Sequence, residues 1–193
     1  MNLETIDLIK WSLAPICTLL AGYVGVRWGL KQVRLQKKLD FIQQQLREFY
    51  SPLLGYHKEI RAKGEMRVKI SKAASEAWTD LCSKGPQSPE THNAEYKPYG
   101  KIIEYNSEQL KNEMLPLYRK MLSTFGEKYW LAEPETRKWY SELCDFVELW
   151  NRWISDTIPA DVIKKIDPGE EKLIPFYQEL ETRMDVLRKK LSE

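Results

Sequence analysis

Histidine and cysteine are scarce in this chain, with two of the first and three of the second among 193 residues. His57, His92, Cys17, Cys82 and Cys144 form no C-x-x-C and no ligand cluster, so neither a zinc site nor a disulfide framework is expected. The odd number of thiols fits a reducing compartment. Glycine is sparse as well, nine residues with none in the spacing of a phosphate-cradling loop. No nucleophile stands beside an evident base, which leaves no catalytic residue, no cofactor and a non-enzymatic reading. Strand-like alternation of useful length is also missing, and that points to an all-α protein.

What the chain does have begins near its start. From Trp11 to Val26 no residue carries a charge. As a helix rising about 1.5 Å per residue the run covers roughly 24 Å, a little short of a hydrocarbon core of about 30 Å. Lys10, Arg27, Lys31, Arg34, Lys37 and Lys38 flank it, while Trp11, Tyr23 and Trp28 suit membrane interfaces. The expectation is a single transmembrane anchor over residues 1–30. The basic excess after the run, against Glu4 and Asp7 before it, places the N-terminus outside a bacterial inner membrane and the C-terminal domain in the cytoplasm. Small residues recur every four positions, Ala14, Thr18 and Gly22 on one line and Ala21, Gly25 and Gly29 on another. Such lines allow close helix packing in lipid, so a homo-oligomer is expected.

Leu35, Leu39, Ile42, Leu46, Phe49 and Leu53 follow at steps of four and three, the seam of a coiled-coil-like helix over residues 31–50. Ser51-Pro52 interrupts it and opens a cytosolic helical bundle over residues 51–193. Ser83 to Pro98 reads as the long loop, and Asp167-Pro168 as a helix cap. Core stripes follow at Trp139, Leu143, Phe146, Trp150 and Trp153, then at Leu173, Phe176, Leu180, Met184, Leu187 and Leu191. An apolar-Pro-apolar-Tyr pattern occurs twice, at Leu115-Pro116-Leu117-Tyr118 and Ile174-Pro175-Phe176-Tyr177, with Ser51-Pro52-Leu53-Leu54 a looser relative.

Charge is unevenly placed. Residues 27–72 hold twelve Lys or Arg against four carboxylates, and the distal part is acidic. The basic third suits an anionic lipid surface. Within it Lys58, Arg61, Lys63, Arg67, Lys69 and Lys72 read either as a solvated face or as an anion site for lipid, a nucleotide signal or RNA. The acidic distal face would suit docking of a cytosolic protein partner.

Three runs, FYSPLLGYHKEIRAKGEMRVKIS, IIEYNSEQLKNEMLPLYRKMLSTFGEKYWLAEPET and EEKLIPFYQELETRMDVLRKKLSE, resemble a widespread, functionally uncharacterised bacterial family with one N-terminal anchor and a cytosolic helical domain. In layout the chain is also similar to the membrane accessory protein of type VI-B CRISPR systems, which has a HEPN-like Arg-x4-His motif. Arg152 has Thr157 where that His would stand. The family likeness implies the fold and carries no activity with it; the function expected is a membrane-anchored effector of antiphage or stress defence that oligomerises to perturb the inner membrane as a pore. A non-enzymatic membrane scaffold or regulatory subunit, and a degenerate HEPN-type nuclease, are the alternatives.

Overall fold

The computed structural model describes the backbone of residues 3–83, 85, 88–166 and 169–192, and side chains from Gly22 onward within those stretches, Pro89 excepted. The chain divides into two units, Met1–Gln44 and Gln45–Glu193.

The first unit consists of helix α1, Leu3–Gln45. Among the described residues no helix is long and apolar enough to cross a membrane. That corrects the transmembrane anchor, its inner-membrane topology, the lipid surface as partner and the pore-forming effector. The physical reason lies in the described part of α1, where Arg27, Lys31, Arg34, Lys37, Lys38 and Asp40 place a charge on every turn. A span of about 20 predominantly apolar residues has no room there. Lys10, Trp11, Ala14, Thr18 and Ala21 lie outside the described side chains. Of the expected interfacial residues, Arg27 donates to the Tyr23 hydroxyl at 3.0 Å and Trp28 is exposed. Cβ atoms placed on Gly22, Gly25 or Gly29 would meet nothing within 4 Å. No described contact therefore uses the small-residue lines, and the homo-oligomer expected from them has no support. The coiled-coil seam is corrected too: Leu35 is exposed, while Phe49 and Leu53 are core residues of the second unit.

The second unit is all-α. A π-helical turn, Leu46–Tyr50, leads into α2, Ser51–Cys82. Helix α3, Pro89–Gln109, passes through a second π-turn, Leu110–Met114, into α4, Leu115–Glu127. A 3-10 turn, Tyr129–Leu131, the single turn α5, Pro134–Arg137, and α6, Tyr140–Ile154, come next. The chain closes with α7, Ala160–Ile166, a 3-10 turn at Glu170–Leu173, and α8, Ile174–Ser192.

Prolines set the helix starts. Pro52, Pro89, Pro116, Pro134 and Pro175 each sit in a first turn, where a missing N–H costs nothing. Pro52 and Pro116 follow the two π-turns. Their rings would crowd the carbonyl four residues back in a regular α-helix. The turn before each is wider, with Ser51 N–H donating to the Leu46 carbonyl and Leu115 N–H to that of Leu110. Pro175 follows a 3-10 turn instead, so all three proline motifs mark a change of helical register.

The expected long loop is largely helix. Ser88 caps α3 by accepting the Thr91 N–H at 3.3 Å. His92, Tyr96 and Tyr99 then pack on Trp78 of α2, with ring centroids 5.0 to 5.3 Å away. Aromatic packing on the half-buried Trp78 outweighs turn-forming composition here, although His92 and Tyr96 stay exposed. The expected cap at Asp167-Pro168 lies outside the described residues.

Three phenylalanines form the centre of the bundle. Phe125 of α4 meets Phe49 edge-on at 5.1 Å and stacks on Phe176 of α8 at 5.8 Å, all three with no exposure. Polar groups beside them are satisfied through Tyr50. Its hydroxyl accepts the Glu133 N–H at 3.1 Å and pairs with the Thr136 hydroxyl at 3.1 Å, which reaches Glu179 of α8. Gln45 donates to the Leu131 carbonyl at 2.7 Å. The aromatic stripe of α6 is buried only in part: Leu143 and Phe146 are core, whereas Trp153 is exposed.

Phe125→Ala is expected to lower unfolding free energy by about 3–5 kcal/mol in urea titrations, because it removes a ring with two buried partners. Tyr50→Phe preserves the packing and strands the Glu133 N–H, for a loss of about 1–3 kcal/mol.

Candidate functional site

Helices α2 and α8 lie side by side with a groove between them of about 790 Å³. Its α2 wall comes from positions spaced three and four apart, His57, Ile60, Gly64 and Val68, with Arg61, Glu65 and Lys69 on the adjoining row. The α8 wall comes from Ile174, Tyr177, Gln178 and Glu181, with Glu170 and Glu171 from the preceding 3-10 turn. Gly64 leaves its part of the wall without a side chain.

The floor is built from the proline motifs. Tyr177, two residues after Pro175, stacks on the His57 imidazole with centroids 3.6 Å apart and planes 14° from parallel. Its hydroxyl donates to Glu170 Oε1 at 3.4 Å. Tyr118, two residues after Pro116, brings its hydroxyl to the same carboxylate and to Tyr177. Burial, reinforced for both by the Glu170 charge, pushes the ionisation of both tyrosines far above the ordinary phenol range. They are neutral, fixed groups that hold the Tyr177 ring as a rigid platform.

His57 is the unusual member. It is only 9 % exposed, and its Nδ1 is buried with no hydrogen-bond partner. Burial lowers the pKa of His57 below 6.5, with Arg61 and Lys58 acting in the same direction and Glu181 opposing them. The imidazole is therefore neutral at pH 7.

The basic residues of α2 do not assemble into the anion site considered from sequence. At about 3.6 residues per turn, Lys58, Arg61, Lys69 and Lys72 share one side of the helix, and Lys63 and Arg67 lie on the other. Carboxylates answer several of them. Arg61 pairs with Glu65 at 2.8 Å, Lys72 with Glu76 at 4.0 Å, and Lys63 with Glu59 at 3.5 Å and Glu113 at 2.5 Å. In the groove itself four carboxylates face Arg61 and Lys69. An RNA or nucleotide partner is corrected on that ground, since the local charge has the wrong sign.

The HEPN-like spacing is a helix end. Arg152 pairs with Glu148 at 2.7 Å, one turn back, and the Thr157 hydroxyl donates to the Arg152 carbonyl at 3.0 Å. Both side chains are occupied in closing α6, which corrects the nuclease alternative. Among the described residues no group of three His, Cys, Asp or Glu side chains could hold a metal ion.

None of His57, Tyr118, Tyr177, Glu170 and Glu181 is among the site residues expected from the sequence. The signal that could have found the tyrosines was the repeated Pro-apolar-Tyr pattern. Nothing local marks the glutamates.

No family model, curated protein or solved structure matches this chain. The resemblance to the anchored bacterial family and to the type VI-B accessory protein is corrected accordingly; the defence effector and the membrane-scaffold alternative fall with the anchor, since among the described residues no helix is long and apolar enough to cross a membrane.

The His57 shift has a consequence for stability. Its folded-state pKa lies below that of the unfolded chain, so its contribution is present above about pH 6.5 and lost as the pH falls through the folded value. Thermal denaturation between about pH 7.5 and 5.5 is expected to show a falling Tm in the natural chain and a flatter profile in His57→Phe, which keeps a ring on Tyr177 without a titrating nitrogen.

Proposed function

We propose that the second unit is a non-catalytic receptor for a small organic molecule held between α2 and α8. The observation that carries this reading is His57. A neutral ring nine-tenths buried, with no hydrogen bond of its own, stacks on an immobilised tyrosine in the wall of an open groove. An unpartnered buried polar atom costs about 1–3 kcal/mol, and such a cost is tolerated where the group serves a ligand.

The groove has the dimensions of a ligand site, within the range of about 300–1,000 Å³ common for small molecules. Its lining combines aliphatic side chains from Ile60, Val68 and Ile174 with a few polar groups that converge, as such sites do. The surroundings offer no activated nucleophile, and the two tyrosines are held neutral, so the chemistry available is recognition.

The test is a ligand-observed NMR screen of the full chain with a fragment library containing cationic, neutral and anionic members. Hits are expected to shift the His57 ring resonances and to disappear in Val68→Trp, which fills the groove from an exposed position. Hits that map elsewhere, or that survive Val68→Trp, overturn the reading.

A further inference from the structure

Resting on the groove as a ligand site, we infer that its ligand is an organic cation: a protonated amine or related head group carried on an apolar body. The inference joins two independent features, the unpartnered His57–Tyr177 platform and the sign of the charge around it.

The lining carboxylates are Glu65, Glu170, Glu171 and Glu181, against Arg61 and Lys69. Arg61 is already engaged by Glu65 along α2 at 2.8 Å. Glu170 is partly engaged as well, accepting from Tyr177. Glu171 and Glu181 on the α8 side and Lys69 on the α2 side remain with no ion pair among the described residues, so the unpaired groups are acidic by one. A cationic head entering the groove gains a charge-assisted hydrogen bond from either, stronger than a neutral pair and formed at the edge of an apolar surface where screening is weaker. An anionic head meets an excess of like charge.

The platform selects the rest of the molecule. Tyr177 and His57 present flat neutral faces flanked by Ile60 and Ile174. An apolar body buried there contributes roughly 25 cal/mol per Å² removed from water. The unprotonated imidazole adds no repulsion to the cation. The groups facing it are Lys58 and Arg61 on its own helix and Glu181 and Tyr177 on α8, and Glu181 is the carboxylate that favours positive charge beside the ring.

Three probes of matched shape separate the class from the site: 4-phenylbutylamine, 4-phenylbutanol and 4-phenylbutyrate, titrated into the full chain with the His57 ring resonances as readout. The amine is expected to bind about tenfold tighter than the alcohol, with butyrate weakest, as one charge-assisted contact provides. In Glu171→Gln combined with Glu181→Gln, both exposed positions, the amine should fall to the affinity that the alcohol shows on the same variant. Equal or tighter binding of butyrate, or an amine preference that survives the double substitution, overturns the cationic ligand and leaves the groove reading in place. If none of the three moves the His57 resonances, both fall.

Discussion

Phe125 is the residue through which the helical bundle holds together. It lies on α4, meets Phe49 from the turn before α2, and stacks on Phe176 at the start of α8. Each ring contributes on the order of 1.5–3 kcal/mol by burial, and each well-oriented pair a further 0.5–1.5 kcal/mol. More important than the sum is the geometry. Fixing Phe176 against Phe125 fixes the rotation of α8, and with it the direction in which Tyr177, the next residue, points. The groove is thus a by-product of how the core sets two helices.

The prolines connect that core to the site. Each of Pro52, Pro116 and Pro175 follows a turn of altered register, π-helical before the first two and 3-10 before the third. A regular α-helix could not accept these rings without a clash. In the wider turn before Pro52, the consecutive residues Phe49 and Tyr50 are both fully buried. Two residues beyond Pro116 and Pro175, Tyr118 and Tyr177 converge on Glu170. Tyr50, beyond the core in the other direction, satisfies the backbone of the Glu133 turn. Hydroxyls placed by proline motifs therefore serve both the integrity of the bundle and the rigidity of the groove floor.

Electrostatics gave the least transferable signal. The cations of α2 are conspicuous along the chain, but their effect is set by what stands beside them in space. Lys63 finds Glu113 fifty residues away, and Lys128 finds Glu48 across a gap of eighty. Exposed pairs of this kind contribute about 0–1 kcal/mol. Their larger consequence is to cancel a field that the sequence alone assigned to an anionic partner. Around the groove the carboxylates from α8 and its preceding turn reverse the sign.

The all-α class, the core stripe of α8 and the restart at Ser51-Pro52 were legible in the residues, because helical periodicity and proline geometry are properties of neighbours three or four positions apart. Those same rules misplaced the segment after Ser83, where local turn propensity yielded to ring contacts of His92, Tyr96 and Tyr99 with Trp78. They also read the uncharged run from Trp11 to Val26, with its basic flank, as a membrane span, whereas among the described residues no helix is long and apolar enough to cross a membrane. Of the site, only the Pro-apolar-Tyr pattern and the basic residues Arg61 and Lys69 stood out in the sequence. That Tyr118 and Tyr177 meet, that His57 loses its partners and that Glu181 faces it depend on which helix faces are brought together. Tertiary packing alone decides this, since long-range contact is chosen by the complementarity of whole surfaces and leaves no trace in local spacing.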